Sequence, residues 1–359
     1  MFFNRFSKRR FRLFQIEPTI RCNLQCTMCP WHEIRTPHLN MAWETYEKIA
    51  VAFKKVTEID LSGGGEPTMN PLLPRMIELA KESGCTAGFS TNATLLTPKL
   101  SEELIRIGLD WIAFSIDGAT AQTYEKIRRG ASFQEVINHI SFLDKLRKKN
   151  KSGKPLTMLF FVMMPDNFHE IPALVDLCLN LGIDRLVVKN QDVILKMERD
   201  KDRLFTYDGH KPKELQRIIR ASQKKAKRNN LFMRVYGLYP NEMPICEQDP
   251  LNTAFYNWEG FVSPCITLAY ARKKVFRGEL TEAPLYRFGN INNESFNQIW
   301  SSPPYRRFRG LYKKRNKSFR LKYLDLIVSG SSQTKRSPEP IDYPPCPEGC
   351  ETCHYLYGL

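Results

Sequence analysis

No stretch of the chain stays apolar for the roughly 18 residues that a membrane-spanning helix requires. The run MLFFVMMP at 158–165 is only strand-sized, so no transmembrane segment is expected. The opening residues, MFFNRFSKRRFRLF, are broken by charge at once and offer neither the apolar core nor the cleavage site of a secretory signal. No solenoid-type repeat is present either. Acidic residues are in deficit: 38 Asp and Glu face 54 Lys and Arg, for a formal charge of +16. The excess falls in runs at the N-terminus and at 146–154, 223–230 and 306–322. Such runs suit an anionic partner, whether nucleic acid, lipid, acidic peptide or phosphorylated small molecule, and equally a plain solvated surface. Without an export signal, the ten cysteines are expected as cytoplasmic thiols, free or metal-bound, rather than as disulfides.

The remaining composition, 42% hydrophobic and 26% charged, is that of a globular chain able to build one large domain and a smaller one. Six short apolar runs (12–20, 58–63, 87–92, 111–117, 156–164 and 185–190) read as strands bounded by Gly, Pro, Asn or Asp. Amphipathic segments at 43–56, 71–84, 98–108, 132–150, 169–182 and 212–230 read as helices between and after them. This alternation predicts an α/β fold with a parallel sheet, either open or a partial barrel. A basic tail is expected at 1–11, the strand–helix domain at 12–230, and a loop-rich domain at 231–359 with a flexible insertion near 325–342. Five of the ten cysteines lie in that last region, where a small core commonly needs metal to hold it.

In a parallel strand–helix array the active site forms beyond the C-terminal strand ends. Cys22, Cys26 and Cys29 follow the first predicted strand, GGGEP (Gly63 to Pro67) the second, Ser90-Thr91-Asn92 close the third and Ser115-Ile116-Asp117 the fourth. The four segments therefore share one rim. Three thiolates leave one metal position open, unlike a four-ligand structural zinc or closed cluster; a zinc ion borrowing His32 is the competing reading.

The pairing of C-x3-C-x2-C with GGGEP resembles the radical S-adenosylmethionine (radical SAM) superfamily over roughly residues 12–215. The resemblance implies a partial (β/α)6 barrel in which Cys22, Cys26 and Cys29 hold a [4Fe-4S] cluster whose fourth iron is chelated by SAM. It also implies SAM contacts from Gly63, Gly64, Gly65 and Glu66 to the methionine moiety, from Asn92, Ser115 and Asp117 along the rim, and from Arg128 or Arg129 to the carboxylate. Met28 stands where the family usually has an aromatic residue.

Further on, Cys246, Gly260 placed as G-x4-C before Cys265, and a closing C-x2-C at Cys350 and Cys353 are similar to SPASM/twitch domains. That similarity implies one auxiliary [4Fe-4S] cluster on those four cysteines, since the longer cysteine array of a two-cluster domain is absent. Cys346 is then left over as an alternative ligand, a bystander or a hydrogen-atom donor. A flavodoxin- or ferredoxin-type electron donor is implied as well. For substrate, a carbohydrate- or aminocyclitol-like small molecule undergoing dehydrogenation or epimerisation is favoured. The early first strand leaves no room for an N-terminal peptide-recognition domain, and the single-cluster pattern resembles that branch. A peptide maturase is the runner-up, and a non-catalytic iron–sulfur protein binding nucleic acid a third reading, although stable nucleic-acid binding is not expected. Lys189, Asn190 and Asp192, past the sixth strand, are the candidate substrate contacts, with Asn167 past the fifth.

Overall fold

In this computed structural model, strand β5 (Leu156–Met163) shows how the sequence builds the molecule: its residues alternate strictly between buried and half-buried. One set packs outward against helices and the other lines an interior space. The neighbouring strands of the sheet are β1 (Phe11–Ile16), β2 (Val56–Asp60), β3 (Thr86–Thr91), β4 (Trp111–Ser115) and β6 (Arg185–Asn190). Residues 9–31, 40–150, 153–191, 193–208, 212–328 and 342–359 are described, without the side chains of 323–328; residues 1–8 of the expected tail, His32, Asp192 and most of the expected insertion lie outside them.

The sheet continues beyond six strands. β7 (Phe232–Val235) pairs parallel with β6, and β8 (Thr253–Tyr256) pairs parallel with β1 before β9 (Val262–Ser263) turns back antiparallel. The order is β7-β6-β5-β4-β3-β2-β1-β8-β9, so the barrel stays open between its two edges. Strands from after residue 231 thus extend both edges of the sheet, across the boundary expected at 230.

Helices α1 (Trp43–Ala50), α2 (Leu73–Glu82), α3 (Pro98–Arg106), α4 (Ala121–Ile127), α5 (Phe133–Lys149), α6 (Ile171–Asn180) and α7 (Lys213–Arg228) cover the outer face. Several start as their sequences dictate: Thr97, Thr120 and Ser132 accept from the backbone three residues on. Phe14, Ile59, Phe89, Phe114 and Phe161 from the sheet share one buried core with Ile77, Leu104, Val136, Ile140 and Leu174 from the helices.

The C-terminal region is less loop-rich than its composition suggests. It holds a hairpin of β10 (Arg272–Phe276) and β11 (Glu279–Ala283), the short α8 (Phe296–Ser301) with a Ser295/Gln298 capping box, and the 26-residue α9 (Pro303–Val328). α9 opens on two prolines, at 303–304, a residue well suited to a first helical turn. α9 runs to residue 328, so the first residues of the insertion expected near 325–342 are helical. Two arginines of the basic run at 306–322 are interior. Arg309 caps Trp300 O (2.6 Å), and Arg315 donates to Pro344 O (2.7 Å), Met243 O (2.9 Å) and Glu242 Oε1 (2.6 Å). Among the described residues, no helix is long and apolar enough to cross a membrane.

Candidate active site

The loop after β1 is strapped to its surroundings through its backbone. Gln25 N–H donates to Arg129 O and Thr27 N–H to Ile127 O, which fixes the cysteine loop to the end of α4. Glu66 N–H donates to Arg21 O (2.7 Å), which fixes it to the glycine loop after β2. The three glycines each meet something at close range. A Cβ on Gly63 would lie 2.3 Å from Glu17, on Gly64 2.7 Å from the Trp31 ring, and on Gly65 2.4 Å from Thr19 O. Their immediate purpose is therefore to let the two loops touch.

Cys22, Cys26 and Cys29 line a cavity of about 260 Å³ together with Gly63, Gly64, Gly65, Glu66, Asn92, Ser115 and Arg128. Asp117 stands behind this wall: fully buried, it accepts from Val162 N–H (2.7 Å) and pairs with Arg128 at 2.7 Å. It aims Arg128, whose Nη1 points at Cys26 Sγ (3.9 Å), rather than facing the cavity itself. Burial raises the pKa of Asp117 and of Glu66, with Arg128 opposing it for the first and backbone and hydroxyl donors for the second. Glu66 accepts four hydrogen bonds, from Thr68 N–H and Oγ1, Thr91 Oγ1 and Asn92 N–H. Three fall on Oε1 and one on Oε2, so the carboxylate braces the glycine loop against β3 and keeps acceptor capacity on Oε2. Asn92 in turn donates to Asn23 Oδ1 (3.0 Å) in the cysteine loop.

Glu17 escaped the sequence reading. It is fully buried, its Oε1 accepts from Gly64 N–H (2.7 Å), and its Oε2 accepts from Trp258 N–H (3.3 Å) and the Tyr270 hydroxyl. One carboxylate thus joins the glycine loop to the segment after β8 and to the approach to β10. Burial pushes Glu17 up to about 7 against the pull of those three donors. Only its position directly after a strand and before Pro18 signalled it.

The barrel interior forms a second, larger cavity of about 790 Å³. It meets the cysteine cavity at Pro30, Trp31, Ser62, Gly63, Ser90 and Val193, which line both. Lys189 lies in it, 4.1 Å over the Phe160 ring. Asn190 does not: it is buried and donates to Gly237 O (2.7 Å), tying β6 to the segment after β7. Asn167 is likewise structural, donating to Asp117 O and Val162 O.

A third, closed cavity is walled by Cys246, Cys265, Cys350 and Cys353 with Phe308 and Tyr312 of α9. The buried Tyr312 hydroxyl donates to Cys246 Sγ (3.8 Å). Cys346 stands apart from these walls, with Glu351 (3.9 Å) as its sulfur's partner, and it lines neither of the other two cavities. Gln248, Thr267 and Tyr355 line both this cavity and the barrel interior. The interior therefore lies between the two cysteine sites. The donor sets fit iron–sulfur clusters: soft thiols, three beside an open cavity and four around a closed one. Among the described residues, no trio of His, Cys, Asp or Glu is gathered around a position for a single metal ion.

Two family descriptions match the chain: Radical SAM superfamily over residues 16–178, and an iron-sulfur cluster-binding domain, SPASM, over residues 246–323. The tungsten-containing aldehyde ferredoxin oxidoreductase cofactor-modifying protein of Pyrococcus furiosus is 30% identical over 305 residues, 83% of either chain. The PqqA peptide cyclase of Rhodopseudomonas palustris is 28% identical over 177 residues, 49% of this chain and 45% of its own. Among solved structures, Streptococcus suis SuiB bound to S-adenosylmethionine superposes with a TM-score of 0.63 at 17% identity, covering 84% of this chain and 68% of SuiB. Native anSMEcpe with bound AdoMet and a peptide gives 0.62 at 16% identity, covering 95% and 94%. At these identities the structures speak to the fold, which they share.

Proposed function

The chain belongs to the radical SAM superfamily and carries a SPASM iron–sulfur domain, and we propose that it abstracts hydrogen from a hydroxyl-rich small molecule, carbohydrate- or aminocyclitol-like, held in the barrel interior. The enzyme works with S-adenosylmethionine and two [4Fe-4S] clusters. When bound, the reduced cluster and SAM supply a 5′-deoxyadenosyl radical able to attack an unactivated C–H bond. In this reading Cys22, Cys26 and Cys29 hold the first cluster and Cys246, Cys265, Cys350 and Cys353 the second. Gly63, Gly64, Gly65, Asn92, Ser115 and Arg128 line the SAM position, with Asp117 and Glu17 holding Arg128 and the glycine loop in place.

The observation that carries the proposal is the interior cavity, bordered by Trp31 and Gly63 on the side of the first cysteine site and by Thr267 and Tyr355 on the side of the second. Its volume falls within the roughly 300–1,000 Å³ of small-ligand sites. Dehydrogenation or epimerisation fits a substrate so placed, with electrons delivered by a flavodoxin- or ferredoxin-type protein. A second reading, peptide modification, is supported by the likeness to the PqqA peptide cyclase. The test is 5′-deoxyadenosine formation by anaerobically reconstituted enzyme with dithionite, over a panel of sugars, aminocyclitols and peptides. Stimulation by a small polyol, with a carbonyl product or an epimer of unchanged mass, supports the proposal. Stimulation by peptides alone overturns it in favour of the second reading.

A further inference from the structure

The charges inside the barrel narrow the substrate class. Five cations line the interior: Arg12 from β1, Arg185 and Lys189 from β6, Arg234 from β7 and Arg272 from β10. Facing them are three acids: Glu58 and Asp60 from β2, and Glu247. Glu247 is engaged by Arg234 and by the Tyr236 hydroxyl (2.7 Å), so it does not neutralise the others. Glu58 and Asp60 lie on one face of one strand; burial raises the pKa of both, with the Glu58 charge adding to it at Asp60 and Asp110 at Glu58, and these changes favour their neutral forms. With Arg12 paired to Asp249 and Arg234 to Glu247, the positive field of the lumen comes from Arg185, Lys189 and Arg272, and a concave wall concentrates it.

Two of the cations are held on aromatic rings that fix where they sit. Lys189 lies over Phe160, and the Arg272 guanidinium lies 4.3 Å over Trp31. Trp31 is the residue that covers Gly64 and belongs to both the cysteine cavity and the lumen. Arg272 thus stands where the two spaces join. Opposite, Asp60 presents a buried Oδ1 with no hydrogen-bond partner, from the same strand whose end leads into the glycine loop. A buried polar atom left without a partner costs about 1–3 kcal/mol, and a ligand that satisfies it recovers that cost.

We propose that the barrel interior binds a small molecule bearing a phosphate or carboxylate group, its anionic end held by Lys189 and Arg272 and a hydroxyl held by Asp60. The assignment rests on the barrel interior being the substrate site. It refines that site from a neutral polyol to a phosphorylated or acidic one.

The probe is inorganic pyrophosphate, titrated calorimetrically into reconstituted enzyme with SAM present, beside trehalose as a neutral polyol. Pyrophosphate is expected to bind and trehalose not, and binding is expected to weaken at least tenfold in Lys189→Met and in Arg272→Met. Lys189→Arg should retain most of it, and Arg75→Met, a cation lying over Trp43 on α1, should match wild type. Equal pyrophosphate binding by Lys189→Met, Arg272→Met and wild type overturns the inference, as does preferential binding of trehalose or of an acidic peptide. Cleavage of SAM by dithionite-reduced enzyme is scored separately. Its loss in wild type would defeat the functional reading, whereas intact cleavage with no anion binding would defeat this refinement alone.

Discussion

Replacing Glu17 by Ala leaves three donors without their acceptor: Gly64 N–H, Trp258 N–H and the Tyr270 hydroxyl. At about 1–3 kcal/mol for each buried donor, and the low end for Trp258 at its longer distance, the loss sums to about 4 kcal/mol. An opposing gain depends on pH. The folded state raises Glu17 from 4.5 to about 7, so the stability its neutral form provides is complete below 4.5 and is lost as pH rises through 7. By linkage, keeping Glu17 buried costs roughly 1.5 kcal/mol near pH 5.5 and about 3 kcal/mol near pH 8, a cost that alanine removes. The variant should therefore be less stable than wild type by about 3 kcal/mol near pH 5.5 but only by about 1 kcal/mol near pH 8. Urea unfolding of both proteins at the two pH values measures this. Because the Gly64 amide also loses its anchor, SAM affinity should fall about tenfold, the equivalent of 1.4 kcal/mol. Equal destabilisation at both pH values would refute the titration argument. SAM binding within twofold of wild type would refute the positioning argument.

Gly88→Ala should lower stability by about 1–3 kcal/mol through overpacking, since the new Cβ would lie 2.2 Å from the Trp111 ring and 2.4 Å from its carbonyl oxygen. Thermal unfolding reads this directly, and an unchanged midpoint would contradict the close packing inside the barrel. Tyr312→Phe removes the hydroxyl that donates to Cys246 Sγ. One hydrogen bond of about 1 kcal/mol on a one-electron couple corresponds to roughly 40 mV, so the auxiliary potential should become more negative by about that amount, with iron content unchanged. A potential that does not move in a redox titration would place Tyr312 outside the cluster's environment.

The strands were legible because each is a short apolar run closed by Gly, Pro, Asn or Asp, and each of the six predicted runs overlaps a strand of the sheet, several running on past its end. The convergence of the cysteine and glycine loops was legible for the same reason, since topology alone brings strand ends to one rim. Asp117 was misjudged because a residue's place at a strand end does not reveal which way it faces. A position two steps from Ser115 would share its side if the strand continued, but β4 ends at Ser115 and the irregular chain beyond it turns Asp117 to Arg128 instead. Glu17, Tyr270 and Trp258 were invisible as a group, because their contact spans about two-thirds of the chain and no local pattern encodes it. Strands β7 and β8 were hidden by their shortness, four residues each, and by the Pro- and Gly-rich segments around them. α9 was obscured by arginines that look like solvated charge, although Tyr305, Phe308 and Tyr312 among them follow helical spacing.

The central claim is that two separate sets of cysteines hold two [4Fe-4S] clusters. It is tested most directly by iron analysis of the anaerobically reconstituted protein beside a variant with Cys22, Cys26 and Cys29 all replaced by Ala. About eight irons per chain falling to about four in the variant is the predicted result. About four falling to none, or a wild-type content that the substitutions leave unchanged, would contradict it.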